Sequence, residues 1–453
     1  MSDQATKLPA KYKLSYGVSE FGKALFIHGP NLVWLFFLTE VLDIPPATAG
    51  LVILAPMIWD AVTDPLVGYW MDRTRLPWGK YVPYIFFAAP IASLAFVFFF
   101  TDFGLQGPAA AWSALLVAIF FRTALTVVDV PHNGLMARVT SSSSERSAIA
   151  GAKMFFNAFA MVAIAIAVRP ILSGDGSNYD RFTLYAGIGA VIAVLALWQC
   201  AWFFRRLDTV ETGRGEAQLT PMEAWSNLST NHYLWILLAV GIVAVMLLPS
   251  FAKTVLYFAK YNLGDEAFGG IALLTFTLAT ALSIPLWGLT GRKVDKARLL
   301  QLAHATILTG LVLFYLYDGT ARPVLLGLMA IIGIGAGGAN VLTLALVPDV
   351  VEYGQWKTGK RVEAGVFGCF TFSAKAGNGL GAGLLGLLLG AVGFVANTDQ
   401  SPETLTGIKT IMTLLPAAGS AIVIMLLARF DLGHEAHARL VSEIGQAEPA
   451  GAR

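Results

Sequence analysis

Long apolar runs alternate with short polar segments along almost the whole chain. The runs are ~18–25 residues long, the length at which an α-helix crosses the hydrocarbon core of a bilayer. About twelve can be read. In the first half they are Phe21–Leu38, Leu51–Met71, Tyr81–Phe100, Ala109–Val130, Ala150–Ile171 and Phe182–Phe203. In the second half they are Tyr233–Phe251, Gly270–Leu289, Leu299–Tyr317, Pro323–Val347, Val366–Phe394 and Ile408–Leu427. Only helices are expected, because an open strand in lipid leaves its backbone groups without partners.

Composition sharpens this picture. The 453 residues are 56% hydrophobic and only 13% charged, with a mean hydropathy of +0.66. Soluble domains carry about 25% charged residues. Cys200 and Cys369 both fall inside predicted spans, which argues against a disulfide framework. The net charge of +2 gives no support for nucleic-acid binding. The polar start, Met1 to Ser15, lacks the layout of a cleavable signal peptide, so the first span is expected to be retained.

Lys and Arg sort to one side of the predicted membrane. With an even number of spans both termini share a side. That side also holds Lys7, Lys11, Arg73, Lys80, Arg138, Arg205, Arg292, Lys296, Lys357, Arg361 and Arg429, among others. The opposite side holds only Arg181, Lys260, Arg322 and Lys409. Cationic loops stay in the cytoplasm, so both termini are expected there. The longest polar stretch between spans divides the chain. The expected parts are a first half at 1–204, a linker at 205–231, a second half at 232–430 and a solvated, mobile tail at 431–453. Leu219 to Trp225 in the linker suits a short helix on the membrane surface. A weak repeat supports the division. Pro65-Leu66-Val67-Gly68 and Pro285-Leu286-Trp287-Gly288 end the second and eighth spans, each followed by a basic residue, Arg73 or Lys293.

Asp60 and Asp64 carry the strongest chemical signal. They lie four residues apart on one helix face, in the middle of an apolar run. A carboxylate at membrane depth is costly, and two together are worse. Such a pair persists if a positive species visits it or if one member keeps a proton. Thr63 adds an oxygen beside them. Carboxylates and hydroxyls suit a small hard cation or a proton, which points to cation-coupled transport. The structural alternative for Asp64 is a local turn before Pro65 or a lysine partner.

Two longer segments extend this signal. One is Asp60-Ala61-Val62-Thr63-Asp64-Pro65-Leu66-Val67-Gly68 with Asp72-Arg73-Thr74-Arg75-Leu76-Pro77-Trp78-Gly79-Lys80. The other is Pro348-Asp349-Val350-Val351-Glu352-Tyr353-Gly354-Gln355-Trp356-Lys357-Thr358-Gly359-Lys360-Arg361-Val362-Glu363. Together with Ser15-Tyr16-Gly17 and Phe21-Gly22-Lys23, they resemble the glycoside–pentoside–hexuronide:cation symporters, melibiose-permease-like members of the major facilitator superfamily. The likeness runs from Ser15 into the eleventh span. It implies an all-α membrane protein of 12 transmembrane helices in two six-helix bundles, a central site and alternating access. A cation and a solute would move in the same direction.

The resemblance also implies roles for residues. Asp60, Thr63, Asp64 and Thr126 would form the cation site, for Na+ or H+; if sodium is used, Asp60 and Asp64 are its ligands. Members often carry Asn at the position of Thr63. Asp129 stands where members place a sugar-binding carboxylate, and Lys153 where they carry an arginine near the sugar. A carboxylate accepts paired hydrogen bonds from adjacent hydroxyls. Lysine keeps the charge but loses the planar fork. Lys375 matches a lysine facing the cation region, with snorkelling to an interface as its alternative. Asp72, Arg73, Glu352, Arg361 and Glu363, at helix ends, would hold one transport state by salt bridges.

Arg122 lies two turns before Asp129 in the fourth span, and His132 and Asn133 follow Asp129 at spacings of three and four, so all are candidates for the same polar face. A structural pair of Asp129 with Arg122 or Lys153 is the alternative. Three positions depart from the family pattern: Ala24 replaces an acid, and Asn133 and Asn340 replace aromatics. Glu20 and His28 flank Ala24 at spacings of four, so either is a candidate to replace the missing polarity, although a helix histidine is commonly just hydrogen-bonded. The glycine run Gly333 to Gly338 lies inside a span with no preceding strand, which excludes a phosphate loop and favours close helix packing or bending during gating.

The leading expectation is symport of a sugar or glycoside by a monomer in the inner membrane. No cofactor beyond the coupling ion and no nucleic-acid partner are expected. One alternative is cation-coupled transport of an amphiphile such as a lysolipid, which loss of the aromatics permits. Another is a non-transporting membrane sensor. An enzyme is disfavoured, because no metal-ligand cluster or nucleophile–base motif appears and the histidines are dispersed.

Overall fold

The computed structural model describes residues 8–73, 78–139, 143–172, 180–208, 221–291 and 293–447. Its regular elements are helices. In the first half they are α1 (Ala10–Glu40), α2 (Pro46–Arg73), α3 (Val82–Phe99), α4 (Pro108–Val139), α5 (Ser143–Leu172) and α6 (Asp180–Phe204). Then follow α7 (Pro221–Thr230), α8 (His232–Leu247), α9 (Pro249–Tyr257), α10 (Glu266–Thr290), α11 (Lys296–Leu316), α12 (Arg322–Thr358), α13 (Glu363–Ala391), α14 (Pro402–Leu427) and α15 (His434–Ala447).

Eleven segments among the described residues are long and apolar enough to cross a membrane. The expected span Val366–Phe394 falls on α13, which ends at Ala391 and is not one of them. Its 29 residues have the length, but glycines from Gly365 to Gly390 and Lys375 dilute its hydropathy. The expected span Tyr233–Phe251 is longer than read and is interrupted. Pro249 removes a backbone donor between α8 and α9, and a π-helical turn at Phe258–Asn262 follows.

The chain forms two compact units. One comprises 1–214 with 259–271 and 386–401; the other comprises 215–258, 272–385 and 402–453. In the first, α1 packs against α5 and α6, α3 against α4 and α6, and α2 against α4. Gly22 lets α1 approach closely, since a Cβ there would lie 2.9 Å from the Ala193 backbone of α6. Gly79 has a different reason. It has φ +121°, and a Cβ would meet the Asp208 carboxylate at 2.4 Å. Asp208 is buried and accepts the Tyr81 and Val82 backbone N–H groups at 2.6 and 2.9 Å. It caps α3 where the helix dipole is positive. The outer faces carry large apolar groups such as Leu51, Ile58, Val62 and Leu66 on α2, as lipid contact requires.

The Lys/Arg-poor ends of the first unit are held by a polar clasp. Buried Glu40 accepts from Lys260 at 2.5 Å and from the Tyr261 hydroxyl at 2.7 Å. Asn397 accepts from Lys260 at 2.9 Å and donates to the Glu40 carbonyl at 2.9 Å.

In the second unit α11 packs on α12 and α14. The glycine run of α12 is a packing surface. A Cβ on Gly333 would lie 2.5 Å from the Phe276 carbonyl, and one on Gly335 would lie 2.7 Å from the Ala303 carbonyl. The tail departs from expectation. Within it, His434–Ala447 form α15, which packs on α12. Leu432 and Leu440 are buried, and Trp356 donates to Glu443 at 2.6 Å. Spaced apolar residues in a polar segment made a docked amphipathic helix, not a solvated strand of chain. The helix expected from Leu219 begins at Pro221, and 209–220 lie outside the described residues.

Candidate functional site

Two polar clusters lie in the first unit, joined by one stripe of α4. On α2 the helical period turns Leu51, Ile58, Val62 and Leu66 outward. It leaves Asp60 and Thr63 buried and Asp64 half-buried. The facing residues of α4 repeat the same spacing of four. The Arg122 guanidinium contacts Asp60 directly, and the Thr126 hydroxyl donates to Asp64 at 2.8 Å. Arg122 also reaches the Met57 sulfur at 3.1 Å. Trp59 donates to Thr123 at 2.9 Å, fastening the same helix pair. Thr63 donates its hydroxyl to the Trp59 carbonyl of its own helix at 3.0 Å.

Asp129 and Asn133 continue the stripe, three and seven residues past Thr126. Asp129 pairs with Lys23 of α1 at 2.8 Å and accepts from Asn133 at 2.9 Å. Lys23 is almost fully buried and also pairs with Glu20 at 3.0 Å. Lys153 of α5 donates to Asn133 at 2.8 Å and stands 3.9 Å from Glu20. Two acids thus meet two lysines, which is how buried charge is tolerated. Asn157 donates to Glu20 at 3.4 Å and contacts His28 Nε2 at 3.1 Å.

His132 is fully buried against the Tyr16 ring, with centroids 4.5 Å apart. Its Nε2 lies 2.7 Å from the Ser19 hydroxyl, and its Nδ1 lies 3.4 Å from Lys23. Ser19 already donates to the Tyr16 carbonyl, and lysine only donates. The network therefore assigns the imidazole proton to Nε2 and leaves Nδ1 as acceptor.

The structure redistributes the expected roles. Asp64 and Thr126 are hydrogen-bonded to each other. Arg122, expected on the face of Asp129, contacts Asp60. Asp129 pairs with Lys23 of the neighbouring helix at 2.8 Å, a partner not among the two expected. Glu20, flanking Ala24, enters the cluster directly, while His28 reaches it through Asn157. Lys23, Ser19 and Asn157 were missed as participants. An intramembrane Glu–Lys pair three residues apart was the available signal for Lys23.

Asn340 is exposed on α12, and Lys375 is half-buried on α13, both in the second unit. The Arg73 guanidinium covers the Tyr69 ring at 4.0 Å, and the side chain of Asp72 lies outside the described residues. Arg361 pairs with Glu363 at 3.0 Å, both exposed, a contact of small energetic weight. Glu352 lies 2.5 Å from His437 Nε2 of α15. Asp349, Glu352 and His437 have metal-like spacing. However, Lys296 holds both oxygens of Asp349 at 2.7 and 2.8 Å, making the group an ion-pair network.

A family model described as MFS/sugar transport protein matches residues 15–434. An uncharacterized symporter of Bacillus subtilis (strain 168) is 26% identical over 446 residues, covering 97% of this chain and 96% of that protein. An isoprimeverose transporter of Lactiplantibacillus pentosus is 26% identical over 427 residues, covering 92% and 88%. The crystal structure of a bacterial homolog of the human lysosomal transporter Spinster, inward-facing and unoccupied, aligns with a TM-score of 0.69 at 13% identity. It covers 96% of this chain and 98% of that one, a likeness of fold.

Proposed function

Since the chain belongs to the MFS/sugar transport protein family, we propose that its solute is a sugar or glycoside bound at the Glu20–Lys23–Asp129–Lys153 cluster. The protein is a secondary active symporter that works by alternating access, and it is an integral multi-pass membrane protein, not an enzyme. The coupling cation, Na+ or H+, would act at Asp64 and Thr126 on the adjoining turn of the same α4 stripe.

The observation that carries this reading is the charge-balanced cluster itself. Buried lysines and carboxylates with Asn133 offer both donors and acceptors, which a polyhydroxylated solute can engage by replacing contacts they make with each other. A cation near Asp64 would alter the register of α4 against α2, and Asp129 lies on that helix. Solute and cation would then tighten each other's binding by the same factor. Loop Lys and Arg support an inner-membrane location with cytoplasmic termini. The 1–204 and 232–430 halves would be the two moving bundles, with a monomer as the unit of transport. The helix-end residues Arg73, Glu352, Arg361 and Glu363 would set the balance between states, and Lys375 would answer the aspartates from the second half.

The test is uptake into proteoliposomes. Labelled isoprimeverose and other glycosides would be offered under an imposed sodium or pH gradient. Accumulation above equilibrium, abolished by Asp129→Asn, supports the assignment. Equal accumulation by that variant removes Asp129 from the solute site.

A further inference from the structure

Family resemblance implies a sodium-capable pair at Asp60 and Asp64, and the residues present do not fit it. A sodium ion is hard and seeks several oxygen ligands with negative charge. Here one of the two carboxylates is already answered. The Arg122 guanidinium sits on Asp60, with only 15% of its side chain and 5% of that of Asp60 exposed. Met57 takes another contact of the same guanidinium nitrogen. Thr63, the neighbouring oxygen, donates to the Trp59 carbonyl one turn back and keeps its lone pairs, so the misfit lies in the charge at Asp60. Thr126 attends Asp64.

From this we infer that Arg122 is a tethered cation and the residue that determines ion specificity: it occupies the Asp60 half of the site and makes the transporter sodium-independent. The reasons are charge and place. An arginine stays protonated throughout the physiological range. Two carboxylates and one guanidinium leave a single negative charge, where two carboxylates alone leave two. A sodium ion approaching Asp60 must displace a covalently attached competitor and would then lie beside its positive charge. At low dielectric that repulsion is large. Arg122 is set on α4 four residues before Thr126, so the two α4 groups divide the two aspartates between them. The inference rests on the symporter reading, and its test separates the two.

The experiment measures binding of radioactive sodium to purified protein at pH 7. Wild type, Arg122→Gln, Asp64→Asn and the double variant Arg122→Gln/Asp64→Asn are compared. The expected result is no saturable binding in wild type up to ~100 mM, and saturable binding in Arg122→Gln with half-saturation at least about tenfold below that limit and lost in the double variant. Saturable binding by wild type that disappears in Asp64→Asn overturns the inference, as does an Arg122→Gln protein that folds and gains nothing. Should Arg122→Gln fail to fold, the wild type decides alone. A thermal midpoint equal in sodium and choline chloride sustains the inference, and a sodium-specific rise that Asp64→Asn removes overturns it. Solute uptake driven by a sodium gradient would sink this inference while leaving the symporter reading intact. A wild type that moves no solute under any gradient would sink the symporter reading, whatever the sodium binding shows.

Discussion

Lys23 Nζ lies 2.8 Å from Asp129 Oδ1, joining α1 to α4 in the interior of the first unit. Removing either partner leaves a buried charge partly unanswered, at a cost of ~3–5 kcal/mol. Lys23→Met and Asp129→Asn are each expected to lower the thermal midpoint in detergent. Lys23→Met combined with Asp129→Leu should recover much of the stability and none of the solute transport. A double variant that transports normally would show the pair to be scaffolding.

Asp64 is expected to be indispensable for coupling and dispensable for folding. Asp64→Asn should abolish accumulation against a gradient and leave a monodisperse protein in the membrane fraction. Thr126→Val, which removes the 2.8 Å hydrogen bond, should weaken cation dependence by the worth of a bond to a charged group, ~1.5–3 kcal/mol. Vesicle uptake against ion concentration measures both, and unchanged uptake by Asp64→Asn would exclude the assignment.

Gly79 and Gly104 both have positive φ, +121° and +69°. Only Gly79 has a neighbour, the Asp208 carboxylate that caps α3; Gly104 has open space. Gly79→Ala should therefore destabilise by ~2–4 kcal/mol, combining backbone strain with overpacking, while Gly104→Ala pays only strain. Thermal unfolding of the two variants compares them, and equal shifts would argue against the steric account.

The clasp at Glu40 should be sensitive to charge. Glu40→Gln exchanges the carboxylate that faces Lys260 and Tyr261 for an amide, weakening contacts worth ~1.5–3 kcal/mol each when charged. A lowered thermal midpoint is expected, with much of the loss recovered on adding Lys260→Met. A Glu40→Gln protein as stable as wild type would show that solvent replaces these contacts.

Leu440 holds the terminal helix down. Leu440→Asp places a charge in its buried position and should release α15 from α12. Limited proteolysis would then cut within 434–447 in the variant and spare it in the wild type. Equal protection would mean that the contacts of His437 and Glu443 suffice.

The sequence by itself determined the membrane class, the all-helical fold, the family and the shared helix face of Asp60 and Asp64, while Thr126 joined them only through the family resemblance. Spanning runs and intramembrane carboxylates are local features, and a spacing of four along a helix is fixed by its pitch. The same local logic found the glycine packing surface of α12. Only the tertiary structure decided which charge answers which. Arg122 lies seven residues from Asp129 on its own helix, which made them look like partners. Yet α2 brings Asp60 to Arg122, and α1 brings Lys23 to Asp129. Charge pairing is settled by distances of a few ångströms between neighbouring helices, and one-dimensional spacing carries no information about those. The docking of α15 and the Asp208 cap on α3 were hidden for the same reason: each joins residues remote along the chain, and packing alone made them neighbours.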